Sequence, residues 1–123
     1  MIELAGYRIT EQLHDGVKSL VYRGTSLKES QTVVVKVLRS ELPKMADLVQ
    51  FRNQFIIARL LNLPGIVRPY QLLTYGNGYA LVMEDFGGCS LKQWIAHHGA
   101  EGHLSLADTL TVALQLVDIL HEL

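Results

Sequence analysis

The 123 residues include one cysteine, one tryptophan and three prolines, and each scarcity excludes something. A lone Cys89 cannot form an intrachain disulfide, so stability must come from a packed core, and a reducing compartment suits such a chain. No apolar run approaches the roughly 20 residues that a helix needs to cross a bilayer. The opening "MIELAGYRIT" lacks the basic start and hydrophobic stretch of a secretory leader, and a cytoplasmic protein is expected. Charge of one sign is missing too. Eleven Lys and Arg against twelve Asp and Glu give a formal charge of −1, with no electrostatic footprint for nucleic acid or an anionic membrane. There is no repeat, low-complexity tract or charge block. What is abundant is apolar: 49% hydrophobic residues against 19% charged describe a folded globule of one domain's length.

The first part of the chain reads as strands. "YRITEQL", "SLVYRGTS" and "QTVVVKVLR" are separated by short turns, the second containing Lys28, Glu29 and Ser30, and form an antiparallel meander. Pro43 opens a helix over "MADLVQFRNQFIIARLLN", in which Leu48, Phe51, Phe55 and Ala58 recur at helical spacing, and Pro64 ends it. Two further strands, "VRPYQLLTY" and "YALVMEDF", flank Gly76-Asn77-Gly78, residues that tolerate the positive φ of a tight hairpin. Gly87-Gly88 breaks the sheet. Ser90 with Gln93, and Ser105 with Asp108, then fit capping boxes that open a short helix ("LKQWIAHH") and a long one ("LADTLTVALQLVDILHEL"), joined by the segment from Gly99 to Gly102.

One residue is out of place. In "QTVVVKVLRS" alternation sends Val33, Val35 and Val37 to one face, while Thr32, Val34, Lys36 and Leu38 take the other. Lys36 therefore projects from an apolar surface. Its stem can lie across that surface with the ammonium snorkelling to water. Alternatively, the ammonium stays in a cleft and meets an anionic ligand, because burial without a partner costs several kcal/mol or forces the group neutral.

The order of elements and the surroundings of Lys36 resemble the amino-terminal lobe of the eukaryotic-type protein kinase family. Val33-Val34-Val35-Lys36 resembles the V-A-I-K strand, whose lysine holds the α- and β-phosphates of ATP. "LHDGVKSLVYRG" is similar to the glycine-rich phosphate-covering loop, with only the middle glycine, Gly16, retained and His14 and Ser19 at the outer positions. "LPGIV" resembles the turn after the regulatory helix, and "ALVMED-F" the last strand and hinge. The stretch from Phe51 to Leu91 is similar to the start of bacterial, especially cyanobacterial, multi-sensor kinases.

The resemblance implies an α+β fold: a kinase small lobe over 7–86, with a five-stranded antiparallel sheet and one major helix, then the first large-lobe helices over 87–123. It implies ATP as ligand. Lys36 would hold the phosphates and Gly16 would allow close backbone approach. Leu13 and Val21 would clamp the base beneath Val34, which is bulkier than the family's alanine, with Met83 as gatekeeper. The backbones of Glu84 and Phe86 would read the adenine edge.

Two departures qualify that expectation. The family's helix glutamate, which fixes the strand lysine, is replaced by Gln54, whose amide oxygen accepts a hydrogen bond but carries no charge. The family's catalytic aspartate and magnesium ligands would lie beyond "LHEL", so the 123 residues are expected to bind nucleotide without turnover, magnesium needing the rest of the large lobe. The alternative is a non-catalytic, pseudokinase-like interaction module. The stripe Leu106, Leu110, Leu114, Val117 and Leu120 would then seek a protein partner or a second copy. A truncated gene with no function of its own is a third reading.

Weaker signals carry less. "GVKS" fails as a P-loop because Val17 separates glycine from lysine. His97, His98 and His103 do not chelate, since adjacent helical side chains diverge by about 100°. Cys89 is expected to be inert, and Asp118 with Glu122 to be a solvated helix face.

Overall fold

The computed structural model describes residues 2–98 and 103–123; the expected junction from Gly99 to Gly102 lies outside the described residues. Strand alternation shapes the sheet. Val33, Val35 and Val37 of β3 (Thr32–Leu38) are buried with Tyr22, Ala80 and Val82 of neighbouring strands. β1 (Tyr7–Asp15) and β2 (Ser19–Ser26) precede β3, and β4 (Pro69–Tyr75) and β5 (Gly78–Glu84) follow helix α1 (Met45–Leu60). The order across the sheet is β1-β2-β3-β5-β4, every pairing antiparallel. This is the α+β architecture that the sequence implied.

The sheet curls. Its outer strands approach one another closely enough for Gln71 Nε2 of β4 to donate to Tyr7 Oη of β1 at 2.7 Å. Leu4 and Ile2 pack against the valine face. Two register shifts in β1, between Ile9 and Glu11 and between Gln12 and His14, supply the bulges that accompany stronger twist.

Local chemistry explains most boundaries. Gly76, at φ +54°, and Asn77 form the two-residue loop of the β4–β5 hairpin, the first position being the one where a II′ turn needs glycine. Pro69 is the first residue of an edge strand, where no ladder donor is required. α1 starts two residues after Pro43, with Lys44 as an N-cap that makes no side-chain bond, and it stops at Leu60 where the sequence implied Asn62. Leu48, Phe51, Phe55 and Ala58 form its covered stripe, with Phe51 fully buried, and the helix packs on β4 and β5. Asp47 in its first turn and Arg59 in its last suit the helix dipole.

The chain divides into two compact units, Met1–Asn62 with Val67–Asp85, and Leu63–Ile66 with Phe86–Leu123. The second unit contains α2 (Leu91–His98) and α3 (Leu106–Glu122). α2 opens with a full capping box: Ser90 Oγ accepts from the Gln93 N–H, and Gln93 Oε1 from the Ser90 N–H, each at 3.1 Å. In α3 only the Ser105 arm forms, Oγ accepting from the Asp108 N–H at 3.1 Å. Gly65 has φ +87°, and a Cβ there would meet Ile119 of α3 at 2.7 Å, so the turn after Pro64 needs glycine for both shape and space.

Leu81, 1% exposed, lies on the sheet face opposite the valines, beside Lys36 in the register. Leu81→Ala should cost about 2–4 kcal/mol by removing buried methyl groups. Urea denaturation checks this, and an unchanged midpoint would show that this face is loosely packed.

Candidate functional site

Antiparallel register puts directly paired residues on one face. Val21 and Leu81 flank Lys36, and Arg23 and Met83 flank Val34. The stem of Lys36 thus lies between two apolar side chains. Its ammonium turns to α1, where Nζ donates to Gln54 Oε1 at 3.0 Å and stands 5.8 Å from the centre of the Phe51 ring. Burial lowers the Lys36 pKa below the ordinary lysine value, because the charged form loses hydration. A carboxylate in place of Gln54 would oppose that shift; a neutral amide does so only weakly.

The ammonium borders a cleft of about 860 Å³ between β3 and α1, whose polar lining includes Lys18, Ser19, Asp47, Asn53 and Gln54. That volume suits a small-molecule site. Gln54 faces the cleft yet is solvent-exposed, as is Ile57 at 58%, because the cleft is open.

The hairpin between β1 and β2 overhangs this region. Gly16 N–H donates to Ser19 O at 2.9 Å, and a Cβ on Gly16 would lie 2.7 Å from His14 Nε2 and 3.0 Å from Ser19 O. A side chain there would push the exposed His14 ring aside and crowd Ser19 O. Val17 at the tip is 94% exposed, so its side chain points away from the protein. Arg39, just past β3, holds the hairpin three ways. Its N–H donates to Lys18 O at 2.9 Å, and Nη1 donates to Gly16 O at 3.2 Å and pairs with Asp15.

The remaining candidates separate by element. Leu13 is the residue skipped at a β1 bulge, half-buried and next to His14, which pairs with Val21. Met83 lies across from Val34. Glu84 is tied to the approach of β4, its N–H donating to Arg68 O at 2.9 Å and its Oε1 accepting from the Arg68 N–H at 2.8 Å. Phe86 belongs to the second unit and is 69% exposed. Val21, Val34, Lys36 and Met83 therefore share one sheet face, with Gly16 above its end and Gln54 opposite.

Sequence reasoning missed Arg39, whose role depends on a hairpin more than twenty residues earlier, and Arg23. The Arg23 guanidinium bonds Asp85 at 2.7 Å and pairs with Glu11, and these carboxylates raise its already high pKa. Asp85-Phe86-Gly87 also spells D-F-G. Its aspartate follows β5 directly and pairs with Arg23, a different setting from the metal-binding aspartate of kinases.

The family model for protein tyrosine and serine/threonine kinases matches residues 7–123. The chain belongs to that family. A serine/threonine-protein kinase of Streptomyces coelicolor is 30% identical over 106 residues, covering 76% of this chain and 19% of that protein. A probable serine/threonine-protein kinase of Bifidobacterium longum is 29% identical over 117 residues, 91% of this chain and 15% of the relative. A third, from Clostridium acetobutylicum, is 26% identical over 117 residues, 94% and 18%. The chain thus spans less than a fifth of the length of these kinases.

The sheet and α1 correspond to the kinase amino-terminal lobe, followed by helices. Among the described residues no helix is long and apolar enough to cross a membrane. Among the described residues no three His, Cys, Asp or Glu side chains come together to hold a metal, and Asp47 is the one carboxylate that lines the cleft, so these residues alone do not fit the family's magnesium.

The Lys36 shift has a sign that can be checked. Its folded pKa lies below the ordinary 10.5, so between that lowered value and 10.5 the unfolded chain binds more protons, and stability rises with pH. Comparing the protein with Lys36→Met by urea denaturation from pH 7 to 10.5 should show this rise only in the parent. Parallel curves would place the ammonium in bulk-like water.

Proposed function

We propose that this chain is the nucleotide-binding part of a serine/threonine-kinase-like signalling domain. The observation that carries the reading is the Lys36 ammonium, placed by an apolar strand face beside an open cleft and held at 3.0 Å by a neutral amide. An ATP phosphate tail would displace or share that amide, since a charged oxygen is the stronger acceptor. The base would lie against Leu13, Val21, Val34 and Met83. The Glu84 N–H is already bonded, so of its two backbone groups the carbonyl would read the base.

Phosphoryl transfer is a separate question. It depends on charge stabilisation by metal ligands and on a positioned base. The cleft of these 123 residues provides lysines, amides and one aspartate, and the polypeptide tested by itself is proposed to bind ATP without turnover.

A second reading has its own observation. Leu106, Leu110, Leu114, Val117 and Leu120 of α3 are all exposed, Leu106 at 76%, and such a row favours a protein partner or self-association.

Thermal unfolding separates the two. ATP or ADP should raise the midpoint by several degrees at a hundredfold excess over Kd, and Lys36→Ala should abolish the rise. A midpoint indifferent to nucleotide, with sedimentation showing concentration-dependent dimers, would favour the second reading instead.

A further inference from the structure

The Gly16-Val17-Lys18-Ser19 tip fails the spacing of a P-loop, yet Lys18 and Ser19 line the same cleft as Lys36. We propose that Lys18 is a second phosphate-binding group, presented from the flap, and that with Lys36 it lets this cleft take a nucleotide's polyphosphate tail without a divalent cation. The inference rests on the nucleotide reading above and adds a second cation to that site.

Three features support it. The first is charge: two ammonium groups and one carboxylate, Asp47, line the cleft, and Gln54 brings none, so the lining is net positive. A glutamate at Gln54 would cancel that excess. Lys18 adds one positive charge to that of Lys36, reaching the tail from the flap while Lys36 reaches it from the sheet.

The second is placement. A lysine on a free loop loses much of its binding free energy in being ordered. Lys18 is not on a free loop. Its carbonyl is bonded by the Arg39 N–H at 2.9 Å, and the Arg39 guanidinium bonds Gly16 O at 3.2 Å and pairs with Asp15. The backbone on both sides of Val17 is thereby fixed to the end of β3, the strand that carries Lys36. Asp15, the carboxylate of the flap, is already paired with Arg39.

The third is direction. Val17, at 94% exposure, takes the outward position of the tip, and Ser19, which pairs with Leu38, enters the strand on the Lys36 face. Ser19 Oγ then offers a hydroxyl donor on the same side.

The test is calorimetric titration of the full chain with ATP, ADP and adenosine, in EDTA and then in magnesium. The parent should bind ATP in EDTA more tightly than adenosine. Lys18→Gln should lose about tenfold in ATP affinity while leaving adenosine unchanged, the size expected for one charge-assisted contact. Lys18→Arg should retain most of the affinity, and Gln54→Glu should weaken ATP binding in EDTA. The hairpin tip is exposed, and unchanged thermal midpoints without ligand would confirm that the variants fold. If the parent binds ATP and Lys18→Gln binds it equally well, the inference is wrong and the nucleotide reading stands. ATP binding seen only with magnesium would overturn the metal-free part, and no ATP binding under either condition would overturn both.

Discussion

The hydrogen bond from Lys36 to Gln54 is the constraint on which the candidate site depends, because it joins the sheet's central strand to the helix packed beside it. A lysine on an apolar strand face is stable only where its ammonium finds an acceptor or water, and here it has an amide oxygen and the edge of an open cleft. A bond to a charged group contributes about 1.5–3 kcal/mol when buried. With the Gln54 side exposed to solvent, the net contribution falls to the lower part of that range or below it. The bond therefore orients the ammonium more than it stabilises the fold. An acceptor of that strength is one that a phosphate oxygen can replace.

The rest of the site follows from sheet geometry. Antiparallel register aligns Val21 with Lys36 and Val34 with Met83, giving an apolar floor that ends in a cation. The curl that brings Tyr7 to Gln71 closes the opposite face over the valine core, leaving the Lys36 face as the one available to α1 and to a ligand. Arg39 then ties the flap to the strand below it. In a kinase-family lobe these arrangements would serve a nucleotide, but Gln54 changes the local charge balance, and the cleft is more positive than one built around a lysine–glutamate pair.

Much of this was legible in the sequence because it is local. The valine alternation of β3, the Gly76-Asn77 loop and the Ser90–Gln93 box each depend on side chains a few residues apart, and each appears as read. The pairing of Lys36 with Gln54 was anticipated through family spacing, and composition alone would not have supplied it. What was not legible is long-range. Arg39 reads as an ordinary strand-end arginine until the hairpin folds back on it, and the Arg23–Asp85 pair joins residues 62 apart in sequence. The exposure of Ile57 beside the cleft was not legible either, because helical periodicity marks an apolar residue without saying whether its neighbour is protein or an open cleft.

The central claim is that one ammonium is held at the edge of a cleft and shared with an incoming phosphate. Nitrogen-detected NMR of lysine side chains, with Lys36 assigned by mutation, tests this most directly. The account predicts a Lys36 Nζ resonance distinct from the surface lysines, with slowed proton exchange, that moves on adding ADP and stays still with adenosine. A Lys36 signal that exchanges like the surface lysines and ignores ADP would contradict it.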